Sequence, residues 1–114
     1  MRAPAYRQVD SVFVALADPT RRRLVETLAQ GGTVTASGLA DELPMTRQAV
    51  AKHLSALQGA DLVTAKRVGR ETHYRLRPQP LDDAAEWIQM VGAEWEGRLE
   101  ALRRSVEGRA SRSR

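Results

Sequence analysis

The sequence predicts a mainly α-helical domain carrying one small β-hairpin. Three observations predict it. Apolar residues recur every three or four positions through five separate stretches, the period of a helix with one buried face. Two of those stretches, residues 36–43 and 47–58, are split only by Pro44 and its neighbours, which leaves room for nothing but a tight turn. Two β-leaning runs then flank Gly69, the one hairpin signal in the chain.

Length and composition set the bounds. A chain of 114 residues, 42% hydrophobic and 28% charged, fits one globular domain with a modest core. Eighteen Lys and Arg against fourteen Asp and Glu give a net charge of +4, a sign that favours a polyanionic partner without identifying one. The absence of cysteine excludes disulfides, thiolate metal sites and a cysteine nucleophile. No apolar run approaches a membrane span or a signal-peptide core, so a cytoplasmic location is expected, with no membrane partner.

Residues 1–7 show no periodicity and read as a flexible arm. From Gln8 to Ala17, Val9, Val12, Phe13 and Leu16 share one face of a first helix. Asp18-Pro19 opens a second: Asp caps well, and proline suits the first helical position. That helix carries Leu24, Val25 and Leu28 inward and stops at Gly31-Gly32. Its Arg21, Arg22 and Arg23 read as solvated, or paired with carboxylates such as Asp18, rather than as phosphate contacts.

Thr35 caps a third helix bearing Leu39, Ala40 and Leu43, and Pro44 ends it because its ring disfavours helical geometry at Leu43. Thr46 caps a fourth, from Arg47 to about Gln58, which Gly59 is expected to end in a left-handed conformation. Val50, Leu54 and Leu57 form its narrow apolar stripe. Winding at ~100° per residue puts Gln48, Ala51, Lys52 and Ser55 opposite, with Arg47 at the exposed start. Taken alone, such a polar face is an ordinary solvated surface. The wing that follows changes the weighting.

Residues 61–68 and 72–76 form the two arms of the hairpin around a turn at Gly69-Arg70-Glu71. Lys66, Arg67, Arg70 and Arg75 make it basic, with Glu71 opposing them. A basic hairpin directly after an outward-facing polar helix is a wing that reaches phosphates or the minor groove. The pair becomes a DNA-reading winged helix-turn-helix, with Thr46, Arg47, Gln48, Lys52, Ser55, Lys66, Arg67 and Arg70 as DNA-binding residues. Arg75, set back toward the body, is a weaker candidate.

After Pro78 and Pro80 a long helix spans Leu81 to Val106, with Leu81, Ala84, Ile88, Val91, Trp95, Leu99, Leu102 and Val106 along one stripe. Acidic residues at its start and Arg103 and Arg104 near its end complement the helix dipole. A stripe of this length exceeds what a thin helical body covers and implies a partner helix. The domain division is therefore an arm at 1–7, a DNA-binding body at 8–78, a dimerisation helix at 79–107 and a disordered basic tail at 108–114.

The element order, together with ALADPTRR at residues 15–22, LPMTRQAVAKHL at 43–54 and HYRL at 73–76, resembles the ArsR family of bacterial winged-helix repressors over roughly residues 8 to 106. The resemblance implies a homodimer joined through the first and last helices. It would bind a pseudo-palindromic operator and block transcription, often that of its own operon. On that reading Val9, Phe13, Leu81, Ile88, Val91, Trp95, Leu99 and Leu102 form the dimer interface.

Departures from the family pattern are equally informative. Metal-sensing members carry a Cys-x-Cys pair that would fall at Thr35 and Ser37, and others use Asp and His on the last helix, which here has no His. His53 flanks the apolar stripe and reads as half-buried and hydrogen-bonded; His73, on the wing, has no partner at ligand spacing. The chain resembles the branch lacking the metal-sensing cysteines, so no metal and no cofactor are expected. Control would fall to expression level, autorepression or an organic effector lodged between the terminal helices near Trp87 and Trp95. Ala51 stands where many relatives have Ser, so that contact is not carried over.

Two rival classes compete with this reading. An enzyme needs a nucleophile with its base, a carboxylate pair in a cleft or a phosphate-cradling glycine loop, and the sequence offers none. A winged-helix module binding protein or RNA is the alternative; steep salt dependence with a sequence-dependent component separates duplex DNA from both.

Overall fold

The computed structural model describes residues 3–112, with side chains placed for 9–109. The order is α1 (Ala3–Leu16), α2 (Pro19–Ala29), α3 (Ala36–Glu42), α4 (Arg47–Gly59), β1 (Val63–Val68), β2 (Glu71–Leu76) and α5 (Gln79–Arg112). The chain divides into two compact units, one ending at Ala84 and the other beginning at Ala85.

Local chemistry sets the helix boundaries of the first unit. The Asp18 carboxylate accepts from the backbone N–H of Thr20 at 2.7 Å and of Arg21 at 3.1 Å, closing the open start of α2. Thr35 and Thr46 do the same for α3 and α4, accepting from Gly38 and Ala49 at 3.0 and 3.1 Å. Gly31 and Gly32 both adopt positive φ, 98° and 81°, which only glycine takes without strain and which stops α2. Leu43, ahead of Pro44, is extended at φ −119°, ψ 147°, as the ring requires.

The end of α4 corrects the sequence reading. Gly59 stays helical, and the left-handed residue is Asp61 at φ 59°. Leu62 N–H donates to Leu57 C=O at 3.0 Å and Asp61 N–H to Gln58 C=O at 3.0 Å, a Schellman motif closing on buried Leu62. Aspartate tolerates this conformation because its short polar side chain lowers the steric penalty.

The core joins α1 (Val9, Val12, Ala15), α2 (Leu24, Val25, Leu28), α3 (Leu39), α4 (Val50, Leu54, Leu57) and the entry to β1 (Leu62, Val63). Among the described residues no polar side chain is buried. On α1 Val9 and Val12 of the expected face are buried and Leu16 is half-buried; Ala15 also faces inward, and Phe13, expected at the interface between copies, is exposed in the single chain.

The hairpin pairs Val63 with Leu76 through Val68 with Glu71, so Glu71 begins β2 rather than sitting in the turn. Gly69-Arg70 is left as a two-residue turn, with Gly69 at φ 62° as the first central position of a II′ turn demands. Val34 adds a bridge to Tyr74, with N–H···O distances of 3.0 and 2.8 Å, fastening the segment before α3 to the wing.

Two further boundaries differ. α1 begins at Ala3, inside the expected arm, because proline is tolerated in a first helical turn. α5 continues to Arg112 through most of the expected tail, since neither Gly108 nor the described residues after it adopt positive φ. Residues 1–2 and 113–114 lie outside the described residues. In the second unit Ile88, Val91, Trp95, Leu102 and Val106 are exposed on α5, and Leu99 is half-buried.

Candidate nucleic-acid interface

The site is built on α4. Complete burial of Val50, Leu54 and Leu57 holds the helix by one side, so its rotation about its own axis is determined. Arg47, Gln48, Lys52 and Ser55 are all exposed in consequence, as the sequence placed them, while Ala51 is half-buried. Thr46 is exposed, and its hydroxyl oxygen accepts the Ala49 N–H, leaving the hydroxyl hydrogen to donate outward.

Strand alternation separates the wing cations. With Arg67 opposite Thr72 and Ala65 opposite Tyr74, these four share one face of the hairpin, and Lys66 shares the other with His73. Arg67 donates from Nε to the Gly69 carbonyl at 3.1 Å, which ties its guanidinium to the turn. Of the three wing cations named from sequence, the structure brings Arg67 and Arg70 to α4 and leaves Lys66 on the opposite face.

Between the start of α3, α4 and the wing lies a polar concavity of about 170 Å³. Arg47 and Ala51 of α4 line it, one turn apart, as do Arg67 and Arg70 of the wing. Ala36 and Glu71 also line it, as do Thr35, Ser37, Thr72 and Tyr74, which sequence reasoning did not place at the site. Their signal was the β-branched run Thr33-Val34-Thr35, whose bridge to Tyr74 draws the start of α3 against the hairpin. Thr35 and Ser37 thus line the same space as Arg47, Arg67 and Arg70.

Other residues singled out from sequence fall elsewhere. Arg21 and Arg22 bind the open end of α1: Arg21 Nε reaches Ala15 C=O at 2.6 Å, and Arg22 Nη1 reaches Leu16 C=O at 2.7 Å. Two guanidiniums on the last carbonyls form a C-terminal cap, favourable to the helix dipole. The Asp18 carboxyl is held below its ordinary range, first by the Arg21 backbone N–H and also by that of Thr20. His53 is half-buried. His73 Nδ1 lies 3.3 Å from Thr33 Oγ1 and its Nε2 3.6 Å from a Glu71 carboxylate oxygen. Among the described residues no three His, Cys, Asp or Glu side chains converge as a metal site.

For the expected interface between copies, Val9 is 3% exposed within the single chain, so it belongs to the chain's own core and offers no surface to a partner. Leu81 is half-buried. Phe13, Ile88, Val91, Trp95 and Leu102 are exposed, and Leu99 is half-buried.

A helix held by its apolar stripe with its polar face outward, followed by a basic hairpin, defines a winged helix-turn-helix regulator that binds DNA. Residues 16–65 match the model of a helix-turn-helix domain. The transcriptional repressor SdpR of Bacillus subtilis is 31% identical over 80 residues, covering 70% of this chain and 88% of that one. The ArsR-like transcriptional regulator from Rhodococcus sp. RHA1 superposes with a TM-score of 0.76 at 43% identity, over 88% of this chain and 93% of that one. The homodimeric winged helix-turn-helix DNA-binding domain Mb0332 from Mycobacterium bovis gives a TM-score of 0.61 at 28% identity, over 83% and 84%. The chain belongs to the ArsR family of transcriptional regulators.

Proposed function

We propose that this regulator is a cytoplasmic homodimeric repressor that reads a pseudo-palindromic operator, its own promoter being the first candidate. The observation that carries the reading is the exposed row Arg47, Gln48, Lys52 and Ser55, continuous with the arginines of the wing. Gln48 suits adenine, because its amide offers two hydrogen bonds to one base edge in the major groove, while Arg47, at the start of the helix, is placed for a guanine edge or a flanking phosphate. Thr46, Arg67 and Arg70 position the helix through backbone phosphates, which carry affinity but no sequence information. Lys66, on the outer face of the wing, contributes by charge at longer range.

A second copy joins along α5, where Ile88, Val91, Trp95 and Leu102 expose apolar surface; Phe13 of α1 and the half-buried Leu81 and Leu99 add to the apolar area available. Two recognition helices then present themselves about one DNA turn apart, ~34 Å, as a palindrome requires. Release from the operator is set by expression level, autorepression or an organic ligand near Trp87 and Trp95, not by a metal.

Footprinting of the promoter upstream of the chain's own gene tests this reading. A protected palindrome, bound in preference to random duplex with a steep salt dependence, is the expected result. Equal affinity for operator-containing and random DNA at every salt concentration would refute it.

A further inference from the structure

The concavity between α3, α4 and the wing is more than a stretch of basic surface. We propose that it seats one phosphate group of the DNA backbone, gripped by Arg47 of the recognition helix together with Arg67 and Arg70 of the wing. Helix and wing then share a single phosphate instead of taking separate ones. The proposal rests on the DNA-binding reading above and adds which atoms of the DNA this corner takes.

Three arginines line one space of about 170 Å³. Like charges gathered in one concavity repel each other, and an anion with several acceptor oxygens relieves that repulsion. Glu71 also borders the concavity, but its carboxylate oxygen lies 3.6 Å from His73 Nε2, on the opposite face of the hairpin by strand alternation. One carboxylate, itself beside His73, thus stands against three arginines around this space. Arg67 is already oriented by its bond to the Gly69 carbonyl, so less conformational freedom is lost on binding. Ala51 keeps the floor open, and the exposed Ser37 offers a neutral hydroxyl donor at the rim.

Two arms of one experiment on the full chain test it. In the first, inorganic phosphate is titrated against chloride at matched ionic strength while the arginine Nε–H and backbone amide resonances are followed. Arg47, Arg67, Arg70 and Ser37 should shift together along one saturating curve, and Ala51→Leu, which fills the floor without changing charge, should abolish it. In the second, single phosphates of a bound duplex are replaced by neutral methylphosphonates. At one position per half-site the wild-type chain should lose about tenfold in affinity, whereas Arg67→Ala/Arg70→Ala should lose less than about twofold there.

Losses that multiply at every position would overturn the shared seat. So would phosphate shifts spread evenly over Arg22, Arg23 and the other surface arginines. Localised shifts without any position-dependent methylphosphonate effect would assign the concavity to a free phosphate-bearing small molecule and overturn the DNA assignment. A wild-type chain that binds no duplex would instead overturn the functional reading itself, before any variant is compared, and the seat's DNA assignment with it.

Discussion

Trp95→Ala isolates the self-association surface from the folded body. Trp95 is 58% exposed in the single chain. A tryptophan offers up to ~250 Å² of surface, so ~145 Å² remains to be covered by a partner. At ~25 cal/mol per Å² that area is worth about 3.6 kcal/mol per protomer, or about 3 after allowing for the alanine methyl. A two-fold interface removes the side chain twice, about 6 kcal/mol in all, which is more than about 10⁴-fold in the dimer dissociation constant. Sedimentation equilibrium over a range of protein concentrations measures that constant, and circular dichroism checks that helix content is retained. Operator affinity should fall in parallel, since a monomer reads one half-site. A dissociation constant that moves by less than about tenfold, or a variant that stays dimeric with weakened DNA binding, would refute the placement of the interface on this stripe.

Gln48→Ala should cost about 1–3 kcal/mol at the operator and leave binding to random duplex nearly unchanged; competition gel shifts measure both, and equal losses would remove the base-reading role. Thr46→Ala should lower stability by about 0.5–2 kcal/mol in urea unfolding, because the first turn of α4 loses its cap, and an unchanged midpoint would refute the capping role. Asp18 has a lowered folded-state pKa, so its stabilisation is present above the unfolded value and lost as pH falls through the folded one. Thermal melts between pH 6 and pH 2 should show that loss below about pH 4, and Asp18→Asn should flatten it. Zinc, nickel, cobalt and arsenite at micromolar levels should leave operator affinity unchanged; calorimetry on the free chain checks for a stoichiometric site, and one coupled to DNA release would overturn the expectation.

Features governed by near neighbours along the chain were legible in the sequence. Asp18, Thr35 and Thr46 cap the helices they were expected to cap, because a hydroxyl or carboxylate three residues before an amide acts locally. The apolar stripe of α4 is buried as its period requires, which in turn exposes Arg47, Gln48 and Lys52. What escaped depends on distant partners. On α1 the burial of Ala15, and of Val9 in the chain's own core, follows from packing against other helices, which a hydrophobicity period of 3.6 cannot choose between. The separation of Lys66 from Arg67 followed only from the strand register, since slipping a hairpin by one residue exchanges its faces. Arg21 pairs with Asp18 at 4.0 Å, as the sequence suggested, but the bonds of Arg21 and Arg22 to backbone carbonyls of the preceding helix were hidden, because a pairing of charged residues does not reveal them.

Leu62 ties the helix and the wing together. Its N–H closes the Schellman motif on Leu57 at 3.0 Å, its side chain is fully buried, and its carbonyl accepts the Arg77 N–H at 2.8 Å where the chain leaves β2. One residue therefore fixes the end of α4, the entry to β1 and the exit from β2. A substitution at Leu62 would displace the wing arginines relative to Arg47 and Gln48 while touching no DNA. Two elements joined this tightly cannot adjust independently to two half-fitting contacts. On the proposed reading, DNA that satisfies the helix must satisfy the wing in the same pose, so phosphate spacing along the backbone would enter the selection alongside the bases that α4 is proposed to read.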